Sequence, residues 1–164
     1  MSWTCSGRTQ KELVDNLRTA GIICSAPIAQ VMARVDRKYF CATNHPYQDL
    51  PQPMIEGQTI SAPHMHAHAL ELMLPHLMKA KLPLQVLDVR CGSGYLTACF
   101  AELLQLLGKM SGSKVYGMDV YSTLVESSNR NIQAYCPELL PRITTQNDLH
   151  RSREWLGRNV AQNL

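Results

Sequence analysis

Three kinds of residue in this chain could do chemistry together: the glycines of Cys91-Gly92-Ser93-Gly94, the carboxylates of Asp88 and Asp119, and the hydroxyl of Ser61. Glycine backbone after an apolar run and before a helix lets a ligand reach the free N–H groups of the helix N-terminus. Asp119 comes near the end of a second apolar run, Lys114-Val-Tyr-Gly-Met-Asp119-Val120. In dinucleotide-type folds a carboxylate at the tip of the second strand accepts hydrogen bonds from ribose hydroxyls. The combination predicts a ribose-containing ligand. Taken alone, Gly-Ser-Gly also suits an ordinary tight turn, and Asp119 also suits a strand end that feeds a helix capped by Ser122.

Ser61 precedes Ala62-Pro63 and a helically spaced run, so it reads as an N-cap whose hydroxyl is a polar contact point beside free helix amides. His64, His66 and His68 alternate along that run. On a helix, His64 and His68 share a face while His66 points away, and no carboxylate or cysteine falls at ligand spacing, so no metal site is expected. One histidine is expected to face a cleft and the others to cap or pack. Cys91 has no visible partner that would activate it as a nucleophile.

The elements that must position these groups follow from periodicity. Thr9-Gln-Lys-Glu12 has the form of a capping box before Leu13, Val14 and Leu17, and Gly21 stops that helix. Ser25-Ala-Pro27 starts a second helix carrying Ile28, Val31, Met32 and Val35 on one face. Residues 36–58 hold Pro46, Pro51, Pro53 and Gly57 among Tyr39, Phe40 and Tyr47, and read as a segment wrapped over a cleft or as a surface connector. Val86–Val89 is a first parallel strand, Tyr95–Leu107 a helix with an apolar stripe, and Lys114–Val120 a second strand. A helix from Ser122 ends at Pro137, and Pro141–Asp148 is a third strand running into a polar tail.

The chain has 164 residues, 45% hydrophobic and 18% charged, the composition of one ordinary folded domain. Its formal charge of +3, with dispersed basic residues, gives no footprint for nucleic acid. No apolar run is long enough to span a bilayer and the start is polar, so neither a membrane nor a secretory role is expected, and the default location is cytoplasmic. The six cysteines lack a C-x-x-C pair and read as buried thiols of a reducing compartment.

TISAPHMHAHALEL at Thr59–Leu72 and LDV-x-x-GSGYLTACFA at Leu87–Ala101 closely resemble protein-L-isoaspartate O-methyltransferases. Asp36-Arg37, the NHPYQDLPQP stretch and the VYGMDV strand fit the same family in the same order, so the resemblance runs from about Ser2 to Arg142. It implies an α/β, Rossmann-like fold that binds S-adenosyl-L-methionine. The activity it implies is methylation of the side-chain carboxylate of isoaspartyl and D-aspartyl residues in damaged proteins or peptides, the first step of their repair. By that likeness Ser61 matches the active-site serine, and Thr59, Ile60 and His66 match the cofactor-adjacent segment. Asp88, Gly92, Ser93 and Gly94 match the loop under the methionine part, and Asp119 with Val120 matches the ribose-binding strand end. A carboxylate is already ionised near neutral pH, so Ser61 is an orienting donor rather than a nucleophile, for which it lacks a paired base.

Two features depart from the family pattern. Arg90 stands where the family has the first loop glycine, and its side chain is expected to crowd the cofactor or twist the turn. The tail after Asp148 does not resemble the family's continuation. The expected organisation is therefore one incomplete domain over 1–164, with helices and loop in 1–58 and a C-terminally truncated half-sheet in 59–164. Its first strand would form an open edge able to self-associate. The alternative function is a catalytically weak or inactive relative acting as a binding module.

Overall fold

The computed structural model describes residues 5–147; Asp148 and the polar tail that follows it lie outside them. Thr9 caps α1 (Gln10–Thr19), its hydroxyl accepting from the Glu12 N–H at 3.2 Å. The reciprocal arm of the capping box is displaced by one residue, because the Glu12 carboxylate accepts from the N–H of Arg8 at 2.7 Å. Ser25 occupies the N-cap of α2 (Ala26–Arg34), but its hydroxyl donates to Glu71 at 2.6 Å. Glu71 also accepts from the N–H groups of Cys24 and Ser25, each at 2.8 Å, and so serves the α2 N-terminus from α3 (Pro63–Lys79).

Residues 36–58 contain a 3₁₀ turn at Arg37–Tyr39, a short strand β1 (Gln52–Pro53) and a second turn at Ile55–Gly57. β1 pairs antiparallel with β2 (Thr59–Ile60), which folds the proline-rich segment back onto the start of α3. Thr123 donates to the Glu56 carboxylate at 2.7 Å and ties the tip of this segment to a helix further along the chain.

The second part is a parallel sheet in the order β3-β4-β5, formed by β3 (Gln85–Val89), β4 (Lys114–Asp119) and β5 (Ile143–Asn147). α4 (Tyr95–Leu106) joins the first two strands and α5 (Ser122–Tyr135) the last two. This is the α/β, Rossmann-like arrangement expected from the strand–glycine turn–helix pattern. In register, Asp88 lies opposite Gly117, and Asp119 opposite Asn147. Among the described residues β3 has no strand on its outer side, and Val89 at its end is half exposed.

α4 is the centre of the core. The sequence showed an apolar stripe, yet Ala98, Cys99, Ala101, Leu103 and Leu104 are all fully enclosed, because α4 packs on the sheet and beneath both α2 and α3. Burying each of the two leucines stabilises the fold by about 1.5–3 kcal/mol.

Among the boundaries that differ from expectation, three follow from local chemistry. Ala62, not Ser61, is the N-cap of α3, since Pro63 takes the first helical position that suits its fixed φ. Ser122 is the first residue of α5, and Tyr121 holds its cap position. The third strand starts at Ile143, because Pro137–Arg142 closes into 3₁₀ turns first.

Candidate active site

The strand β3 delivers Asp88 and Arg90 to a tight turn, and the turn delivers Gly92 and Gly94 to the start of α4. The N–H groups of Arg90 and Cys91 both donate to the carbonyl of Met118, at 2.7 and 3.0 Å, which pins the turn to the neighbouring strand. Gly94, the N-cap of α4, has φ 83°, and a Cβ there would overlap the Ser128 hydroxyl of α5. Gly92 has φ 54°, and a Cβ there would come within 3.0 Å of the Met54 methyl group. Both glycines are thus required by conformation and by close approach.

Asp119 Oδ2 accepts from the Gly92 N–H at 3.0 Å, and Oδ1 accepts from the Tyr121 N–H at 3.3 Å. The strand-end acid is therefore coupled directly to the glycine turn. Asp88 is buried and accepts from the Thr97 hydroxyl at 2.7 Å. Burial pushes its carboxyl up to about 6; the Thr97 hydrogen bond opposes the rise and the charge of Asp119 adds to it. Cys91 is pushed up to about 12, mainly by burial and then by the two acids, so it stays a thiol and has no nucleophilic character.

Between this turn and the β2–α3 junction lies a cavity of about 260 Å³. Its wall brings together seven of the residues singled out in the sequence: Thr59, Ile60, Ser61, His66, Asp88, Gly92 and Ser93. Gly94, Asp119 and Val120 are not on that wall. Gly94 packs under the turn, Asp119 touches the site through Gly92, and Val120 follows the end of β4. Met54 and Ser93 also border a second hollow of about 130 Å³ lined by Phe40, Pro53 and Leu124. The proline-rich segment therefore covers the cleft, with Met54 as the residue laid across it. A larger cavity of about 680 Å³ lies elsewhere, beside Ser6, Arg8, His45 and Tyr47, and has neither a glycine turn nor a buried carboxylate on its wall.

Behind Ser61 lies a layer of buried polar groups in which Arg37, present in the sequence reading only as part of the Asp36-Arg37 motif, and His66 come together. Arg37 is completely enclosed; its Nη2 donates to the Ser61 carbonyl at 2.7 Å and its guanidinium lies 5.4 Å from the Tyr95 ring centroid. Its Nη1 lies 3.3 Å from His66 Nδ1. Arginine can only donate, so His66 Nδ1 accepts and the ring is the neutral Nε2–H tautomer. Burial, then the Arg37 charge, keeps His66 well below the usual histidine range. His64 does not cap: Asp49 Oδ1 accepts from its main-chain N–H at 2.9 Å and lies 2.8 Å from its ring Nδ1, so the acid serves the start of α3. His68 is exposed. Among the described residues no group of three or more His, Cys, Asp or Glu could hold a metal ion, and none of the six cysteines forms a disulfide, with Cys24 exposed and Cys136 half-buried rather than buried.

The glycine turn and the segment carrying Ser61 line one cleft beside an α/β sheet, with the strand-end acid reaching it through Gly92, and comparison with known proteins names the family. A sequence model of the protein-L-isoaspartate(D-aspartate) O-methyltransferases (PCMT) matches residues 8–147. The chain belongs to this family. A PCMT relative from Caenorhabditis elegans, a protein-L-isoaspartate O-methyltransferase, is 41% identical over 142 residues, which is 87% of this chain and 59% of that protein. Protein-L-isoaspartate O-methyltransferase 1 of Arabidopsis thaliana is 42% identical over 76% of this chain and 51% of its own length. The chain thus spans between half and three-fifths of these two PCMT relatives. Among solved structures, a Plasmodium falciparum PCMT in complex with S-adenosyl-L-homocysteine superposes with a TM-score of 0.78 at 35% identity, covering 87% of this chain and 64% of that one.

Proposed function

We propose that the cleft binds S-adenosyl-L-methionine and directs its methyl group to the side-chain carboxylate of isoaspartyl or D-aspartyl residues in damaged proteins. The observation that carries this reading is the hydrogen bond from Gly92 N–H to Asp119, which couples a ribose-type acid to a glycine turn that shares one cavity with Ser61. The residues present fit the cofactor: two left-handed glycines leave bare backbone at the turn, and Asp119 retains lone pairs beyond its two main-chain donors. The complex of the Plasmodium falciparum relative with S-adenosyl-L-homocysteine supports the same assignment.

When bound, the cofactor supplies a methyl group activated by a sulfonium. The remaining work falls to this chain. Asp119 with Val120 faces the ribose, and Asp88, Gly92, Ser93 and Gly94 form the bed under the methionine portion. Thr59, Ile60 and His66 line the opposite wall. Ser61 donates its hydroxyl to the substrate carboxylate, which is already ionised and needs alignment rather than a base. Met54 excludes water from above.

The same reading takes the outer edge of β3, which has no strand beside it among the described residues, as a surface on which copies of the chain can associate. No helix among the described residues is long and apolar enough to cross a membrane. Six cysteines without a disulfide suit a reducing compartment, which supports a cytoplasmic location. Transfer of a tritiated methyl group to an isoaspartyl peptide, against its normal aspartyl isomer, tests the activity. Incorporation only into the isoaspartyl form is expected, and equal or absent incorporation overturns it.

A further inference from the structure

Arg90 is a residue on the cleft wall that neither the turn nor the core requires. Its backbone is left-handed, with φ 64°, a conformation costly for any residue with a Cβ and free for glycine. The hydrogen bond from its N–H to Met118 is one that glycine would make equally well. The turn therefore keeps the geometry expected of a glycine there, and the side chain is carried in addition.

That side chain is exposed, lines the cleft, and has no hydrogen-bond or ion-pair partner among the described residues. The other titratable groups on the wall are Asp88, His66, Cys91 and Tyr95. His66 is held neutral by burial and by Arg37, while burial keeps the Cys91 thiol and the Tyr95 phenol protonated. Arg90 is consequently the one fixed cation on the lining among the described residues. A planar guanidinium with five donors matches a carboxylate in a bidentate fashion. Strained backbone retained at a ligand-facing loop is a recognised mark of function.

We propose that Arg90 makes this wall of the cleft a carboxylate-binding site. The carboxylate is either that of the methionyl end of the cofactor or the side-chain carboxylate of the substrate. The inference rests on the reading of the cleft as an adenosyl site.

Calorimetric titration of the full chain tests both sources. One arm compares S-adenosyl-L-homocysteine with S-adenosyl-3-thiopropylamine, which lacks only the carboxylate. The other compares an isoaspartyl peptide with its isoasparaginyl amide, with S-adenosyl-L-homocysteine present. Arg90→Gly, which suits the backbone and so preserves the fold, should lower one of the two affinity ratios by about fivefold to thirtyfold. Arg90→Lys should retain part of it, keeping charge without the fork. The arm that moves names the source. If S-adenosyl-L-homocysteine binds and both ratios are unchanged in Arg90→Gly, the inference falls while the cleft assignment stands; a general rise in affinity with unchanged ratios means Arg90 only crowds the cleft. If no variant binds S-adenosyl-L-homocysteine, the cleft assignment falls and this inference with it.

Discussion

Arg37 holds the main-chain carbonyl of Ser61 at 2.7 Å from the buried side of the cleft, and among the described residues no carboxylate is in ion-pair contact with it. Burial lowers the guanidinium from its ordinary range, although the Tyr95, cysteine and Asp49 surroundings offset part of that. Removing Arg37 therefore has two opposed effects on stability. The Ser61 carbonyl loses its donor, costing about 1–3 kcal/mol, while an uncompensated buried charge is relieved. Arg37→Met should change thermal stability modestly yet lower kcat for methyl transfer roughly 10- to 100-fold by freeing the Ser61 segment. Partial rescue of kcat by Arg37→Lys, measured beside the melting temperatures, checks the positioning role.

Asp88 gives a pH dependence with a definite sign. Its folded carboxyl titrates at about 6, mainly through burial, whereas an unfolded aspartate titrates near 3.9. The folded state keeps the proton longer, so this group's contribution falls as pH rises from about 4 to about 6 and is level above that. The loss is roughly 3 kcal/mol. Asp88→Asn, still able to accept from Thr97, should remove the slope, and urea unfolding from pH 4 to pH 7 would show the variant gaining on the parent across that window.

Two positions of the turn should respond in opposite directions. Gly94→Ala introduces a Cβ at φ 83° against Ser128 and Ile132, and is expected to destabilise by about 2–4 kcal/mol. Arg90→Gly removes left-handed strain and is expected to stabilise by about 1 kcal/mol. Denaturant midpoints at unchanged slope measure both.

The outer edge of β3 ends in Val89, 51% exposed, with Leu82, 49% exposed, just before the strand. An edge with no strand beside it among the described residues favours association, and a lysine on it opposes association. Light scattering should give an apparent mass that rises with concentration for the parent chain and stays flat for Val89→Lys.

The sequence carried the central part of the fold because three signals agreed locally: the apolar run of β3, the glycines and the spacing of α4. The segment 36–58 was legible only as a proline-rich cover, since β1 has two residues and its pairing depends on β2, which is equally short. Arg37 entered only as part of the Asp36-Arg37 motif, with no role attached, for a physical reason. Arginine is almost never fully buried unless paired, so its type argued for the surface, and only tertiary packing against Tyr95 and His66 makes it interior. Asp49 and Glu71 were missed similarly, because each serves a helix end far from it in sequence and no local spacing marks such a contact. Ser61 was read as the cap that Ala62 provides, and the error did not move it off the cavity wall.

Backbone amide resonances followed while S-adenosyl-L-homocysteine is titrated into the chain test the single adenosyl cleft most directly. Saturable shifts should appear together at Ser61, His66, Gly92, Ser93 and Asp119, with little change around Ser6, His45 and Tyr47. Shifts confined to that second region, or none at any ligand concentration, would contradict the account.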